Sequence, residues 1–110
     1  MATFEEFQRI DIRVGTVLSA EPFPAAKKPA IRMRIDFGPE IGVKRSSAQL
    51  TIHYTPEALV GRQVVAVVNF PVRRIATFDS EVLVLGALPV PEEVVLLQLE
   101  RPVANGTRIG

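Results

Sequence analysis

Apolar and polar residues alternate most clearly in Ile31-Arg32-Met33-Arg34-Ile35-Asp36-Phe37, where Ile31, Met33, Ile35 and Phe37 fall on one side and Arg32, Arg34 and Asp36 on the other. A period of two predicts a strand with one buried face. The stretch from Arg9 to Leu18 alternates too and loses phase at Gly15, which predicts a long, bent first strand with a bulge or sharp coil at the glycine. Pro22, Pro24 and Pro29 stiffen the interval between these strands into a loop carrying Lys27 and Lys28. Gly38-Pro39 and Gly42 mark a turn into a third strand near residues 41–48. A helical signature follows: Thr55 suits the cap, Pro56 the first helical position and Gly61 the left-handed stop. Residues 63–70, 82–85 and 94–99 are rich in β-branched and aliphatic side chains and read as strands buried on both faces.

The predicted order is three strands, a helix between the third and fourth, two or three further strands and a tail of residues 101–110. That is an all-β fold of the OB type, a five-stranded Greek-key barrel with N- and C-terminal extensions, occupying residues 1–110 as a single domain. An immunoglobulin-like sandwich accounts for neither the helix nor the long first strand. A small barrel fills its interior with one face of each strand, so apolar groups on both sides require a cover for the outer face. A partner chain supplies one, making the protein a homodimer in which Val103 and Ile109 pack across the interface; the chain's own N-terminal segment and tail are the other candidate cover.

Composition narrows the chemistry. With 47% hydrophobic and 23% charged residues, the chain is too apolar for disorder. No apolar run reaches the ~18 residues of a membrane helix, and the acidic start Met1-Ala2-Thr3-Phe4-Glu5-Glu6 is unlike a secretory signal, so a cytoplasmic protein without membrane insertion is expected. There is no cysteine, and His53 is the only histidine, expected as a capping or packing residue where the helix begins. Ser46 and Ser47 lie in no nucleophile elbow, and Asp11, Asp36 and Asp79 stand singly, so neither catalysis nor a metal or other cofactor is expected.

The net charge of +1 conceals an uneven distribution. Ten of the thirteen basic residues are arginine, the residue suited to phosphate contact and to stacking on bases. Lys27, Lys28, Arg32, Arg34, Lys44 and Arg45 face only Asp36 and Glu40 within residues 27–45, whereas residues 81–100 hold four glutamates and no Lys or Arg. Arg73-Arg74 form a second basic focus, flanked by Phe70, Phe78, Asn69 and Ser80. Two readings fit residues 69–81: an RNA-binding loop, in which arginines neutralise phosphate, phenylalanines stack on splayed bases and Asn and Ser read base edges, or a loop whose phenylalanines face the core.

Asp11-Ile12-Arg13-Val14-Gly15, Ala20-Glu21-Pro22-Phe23-Pro24, Ile35-Asp36-Phe37-Gly38, Ser46-Ser47-Ala48-Gln49, His53-Tyr54-Thr55-Pro56-Glu57, Val68-Asn69-Phe70-Pro71, residues 80–86 and residues 105–110 resemble the CsaA family over nearly the whole chain. The resemblance implies a homodimeric OB-fold module that binds tRNA, related to the tRNA-binding domains appended to some methionyl- and phenylalanyl-tRNA synthetases. It also implies a chaperone role in protein export, binding unfolded or precursor polypeptides. The family's pattern of an Asn at a strand end, basic residues four and five positions on and a Ser eleven positions on falls on Asn69, Arg73, Arg74 and Ser80. Val82-Leu83 stand where the synthetase-type domains usually carry Gly-Met, and Thr77 where CsaA relatives often carry Gly. The expected tRNA contacts are therefore Asn69, Arg73, Arg74, Ser80, Lys27, Lys28, Lys44 and Arg45. Phe70, Ile75 and Phe78 are the expected polypeptide contacts, near a groove between subunits.

Overall fold

Strand β1 (Ile12–Pro22) is the spine of the molecule in the computed structural model, which describes residues 1–110. It follows a short helix, α1 (Phe4–Gln8), and is long enough to serve two partners. Residues 12–16 pair antiparallel with β4 (Gln63–Val67), and residues 16–22 pair with β2 (Ile31–Asp36). After a helical turn, α2 (Gly38–Ile41), β3 (Val43–Ala48) pairs with β2 along its whole length. Helix α3 (Pro56–Leu59) separates β3 from β4 in the chain. The ribbon of β5 (Arg73–Ile75) and β6 (Phe78–Ser80) comes next, and then β7 (Leu83–Val84), which pairs with β4. A second ribbon, β8 (Gly86–Ala87) with β9 (Val95–Leu96), precedes the tail.

The order β3-β2-β1-β4-β7 curls until its ends meet. The Glu81 N–H donates to the Arg45 carbonyl at 2.8 Å, the Ser46 hydroxyl donates to the Val82 carbonyl at 3.0 Å, and the Ser47 N–H donates to the Ser80 hydroxyl oxygen at 3.0 Å. A nearly closed five-stranded antiparallel barrel of the OB type results, with the helix where its start and stop signals placed it. Thr55 caps α3 by accepting from the Ala58 N–H, and Gly61 takes a left-handed φ of 87°. His53 does not cap: it is exposed, pairs with Glu93 and packs its edge on Tyr54. No helix is long and apolar enough to cross a membrane.

The irregularity in β1 lies elsewhere than expected. Pairing is regular at Gly15, opposite Val64, and the register slips between Val17 and Ser19. A Cβ on Gly15 would lie 2.7 Å from both the Ile35 side chain and the Phe37 ring, so the glycine lets β1 pass close over the core rather than bending it. That core gathers the inward residues of β2 with Phe37, Leu50, Leu59, Val64, Ala66, Val82, Val84 and Leu96.

Only β4 shows the expected burial on both faces. Val64 and Ala66 enter the main core, while Val65 and Val67 join Ile12 in a smaller cluster covered by Ile10, Leu85, Leu99 and Ile109. The chain therefore supplies part of this cover itself, with Ile109 half-buried against its own barrel. The tail reaches that position by lying along β1: Val14 N–H donates to Thr107 O, Gly106 N–H to Val14 O and Ile109 N–H to Ile12 O, at 2.8–3.0 Å. Val103 stays exposed, its backbone held by Gln63. The later strands differ from the expectation, since β7 and β9 span two residues each and Leu83, Val95 and Leu97 remain exposed.

Candidate nucleic-acid interface

The same alternation that buries one side of β2 builds the site on the other. With Ile31, Met33 and Ile35 inside, Arg32 and Arg34 must point outward, and register decides their neighbours. Arg32 lies between Glu21 of β1 and Ser47 of β3; Arg34 lies between Ser19 and Arg45. Like charges directly opposite one another on a sheet face repel, so Arg34 beside Arg45 is an arrangement that an anion stabilises. Arg45 is held by Glu81, at 3.5 Å, and by Asp79, at 3.8 Å, whereas Arg34 is exposed and unpaired.

Two connections border this face. The loop of residues 23–30, between β1 and β2, brings Phe23 and the exposed Lys27 and Lys28. The connection between β4 and β7 brings the β5–β6 ribbon with Phe78. Phe23 and Phe78 meet with ring centroids 5.3 Å apart and planes tilted by 58°. The Arg32 guanidinium lies over the Phe23 ring at 5.4 Å and that of Arg45 over Phe78 at 5.6 Å. A row of Arg32, Phe23, Phe78 and Arg45 thus spans the face from one border to the other. Beside it opens a cleft of about 360 Å³, lined in part by Ser19, Glu21, Arg32, Arg34, Arg45 and Phe78. Strands two and three with these two connections form the surface on which OB barrels generally take oligonucleotides.

The residues expected from sequence divide around this surface. Arg73 is exposed opposite Ser80, but Arg74 is drawn to Asp79 at 2.7 Å. Lys44 is opposite Ile35 and so lies on the other side of β3 from Arg45, because neighbouring strand residues face opposite ways. Ser80 is buried and its hydroxyl accepts from the Ser47 N–H, which closes the barrel. Asn69 is exposed but engaged: its Oδ1 accepts from the Asp11 N–H at 2.9 Å and its Nδ2 donates to the Arg9 carbonyl at 2.8 Å, clamping the start of β1. Phe70 is exposed and precedes the ribbon in the chain, whereas Ile75 and Phe78 are half-buried and paired across it. Arg13 is internal to the scaffold, bonded to Asp11 at 2.6 Å and to the Gly106 carbonyl; the Asp11 hydrogen bond raises its pKa above the usual arginine value.

Sequence reasoning did not place Arg32, Arg34 or Phe23 in the site. The signal was present in the polar half of the clearest alternating segment, but alternation shows only that a residue faces outward and not what stands beside it.

The family model described as "Putative tRNA binding domain" matches residues 12–108. The chain belongs to this family. Among curated relatives, the methionine--tRNA ligase of Porphyromonas gingivalis is 38% identical over 106 residues, which is 96% of this chain and 15% of the relative. That of Methanococcoides burtonii is 32% identical over 99% of this chain and 16% of the relative. The chain thus spans about one-sixth of the length of these ligases. Among solved structures, chaperone CsaA from Bacillus anthracis superposes with a TM-score of 0.95 at 57% identity, covering 100% of this chain and 99% of that one. CsaA from Picrophilus torridus superposes with a TM-score of 0.92 at 44% identity, over all of both chains. The tRNA-binding family match begins at Ile12 and ends at Arg108, and so includes both borders of the arginine face and most of the tail that braces β1.

Proposed function

We propose that the protein is a non-catalytic tRNA-binding module of the CsaA type that engages RNA with the outer face of β1, β2 and β3. The observation that carries this reading is the convergence of Arg32, Arg34 and Arg45 on one sheet face, bordered by Lys27 and Lys28 on one side and by Arg73 on the other. Arginine forks suit phosphate oxygens, and their planar heads stack on bases. Membership of the tRNA-binding family supports tRNA as the RNA. Arg73, Lys27 and Lys28 extend the phosphate contacts, while Asn69 and Ser80 shape the scaffold that presents them.

A second reading, chaperone-like binding of unfolded or precursor polypeptides in export with tRNA binding vestigial, is favoured by a separate observation. Leu83, Val95 and Leu97 stay exposed near the β4 side of the barrel, and the two solved relatives are chaperones. Apolar side chains so placed suit either a second copy of the chain in a cytoplasmic homodimer or extended polypeptide. Salt separates the two activities, since phosphate contacts release counterions and apolar capture does not. The test is a titration of the purified protein with tRNA and with an unfolded polypeptide across a salt series, with oligomeric state read by light scattering. Steeply salt-dependent binding of tRNA is expected; failure to bind tRNA at low salt overturns the first reading, and a monomer at micromolar concentration overturns the homodimer.

A further inference from the structure

We propose that the cleft beside the arginine–phenylalanine row receives one unpaired nucleotide of the bound RNA, its base stacked on the guanidinium planes of Arg32 and Arg45 and its phosphate held by Arg34. This rests on the tRNA reading and specifies which part of an RNA the site takes. Each of the two guanidinium groups lies beside an aromatic ring, at 5.4 and 5.6 Å from its centroid, and the side chains are 36% and 48% exposed, so part of each remains accessible to a base. Both groups also sit in an ion pair with a carboxylate, although the Arg32 Nε is buried without a hydrogen bond. Arg32 Nε lies 2.7 Å from a Glu21 oxygen and Arg45 Nε lies 3.5 Å from Glu81. Planes held in this way lose little freedom when a base settles on them.

Size and chemistry select the occupant. A cleft of about 360 Å³ is at the small end of ligand sites and accommodates a nucleotide, not a helix. Paired bases in an A-form helix are out of reach of such a recess, whereas bases in loops and single-stranded ends can be splayed out to stack on aromatic rings and guanidinium planes. Ser19 and Glu21 on the lining offer a hydroxyl and a carboxylate to base edges. Arg34 next to Arg45 on the same face supplies the positive charge that a phosphate neutralises. A row that served only to brace the two connections would need neither the unpaired Arg34 nor an open cleft.

The test uses the full chain with three probes: a short single-stranded oligoribonucleotide carrying 2-aminopurine, a blunt duplex of the same sequence, and tRNA. The expected result is tighter binding of the single strand than of the duplex, with quenching of the 2-aminopurine as it stacks. Arg32→Lys and Arg45→Lys keep the charge and lose the plane, so each should weaken single-strand binding about tenfold while leaving the salt slope unchanged. Melting temperatures matching the parent's verify that the variants fold, and the quenching in the parent tests the cleft without any substitution. Equal affinity for single strand and duplex with no quenching, or unchanged affinity in both folded variants, overturns the inference while tRNA binding by the parent leaves the broader reading in place. An unfolded polypeptide that displaces the oligonucleotide in the absence of quenching assigns the cleft to peptide and also overturns it. Loss of all tRNA binding in the parent removes both.

Discussion

The outer faces of β2 and β4 are built by the same alternation and end in opposite environments. Outside β2 the chain leaves Arg34 exposed and Arg32 half-buried beside Phe23, with charged neighbours on both adjoining strands. Outside β4 it covers Val65 and Val67 with Ile10, Leu85, Leu99 and Ile109, drawn from four separate parts of the chain. The difference teaches that a small barrel need not be wet all round. The terminal segments decide which side becomes a second core and which stays open to a ligand, and here the open side is the arginine-rich one.

The largest effect should come from breaking the covered side. Truncation before Val103 removes the three tail hydrogen bonds to β1 and the Ile109 contact, and should cost about 4 kcal/mol of unfolding free energy, read as a lowered denaturant midpoint. A truncated chain as stable as the parent would show that the tail is not part of the barrel wall. Breaking the open side should instead spare stability. Replacement of Arg32, Arg34 and Arg45 together by Ala should weaken tRNA binding about a hundredfold, through the lost stacking planes of Arg32 and Arg45 and the lost phosphate contact of Arg34, and reduce the salt slope by about one unit. An unaltered slope would move the phosphate contacts off this face.

Asn69→Ala tests a residue that sequence reading assigned to RNA and the fold assigns to the clamp on residues 9–11. Two lost hydrogen bonds should lower stability by about 1–2 kcal/mol, and the salt slope of tRNA binding should hold steady once binding is measured well below the melting temperature. A fall in affinity without any loss of stability would return Asn69 to the interface. The smallest effect is expected from Arg73→Ala combined with Arg74→Ala. Arg74 is engaged by Asp79, so the pair should subtract only about one unit of slope. A loss of two full units would mean that Arg74 leaves Asp79 for phosphate.

The sequence by itself determined the strand-rich barrel and the helix within it. Alternation in residues 31–37 dictates one buried face, and the capping and stop signals of Thr55, Pro56 and Gly61 act within a few residues of one another. These are local effects and can be read locally. Charge clustering likewise marked the basic segment, and the order of elements was enough to suggest the OB arrangement. Register, closure and long-range approach were decided only by the tertiary structure. Gly15 looked like a bend, yet its missing side chain makes room for Ile35 and Phe37, which arrive from a different strand. Lys44 and Arg45 looked like one basic pair, yet the pairing of β3 with β2 puts them on opposite sides. Asn69 and Ser80 looked free to read bases, yet their hydrogen-bond partners lie 58 and 33 residues away in the chain. A side chain's type fixes what it can bond, but only the meeting of distant strands decides what is near enough to bond with it.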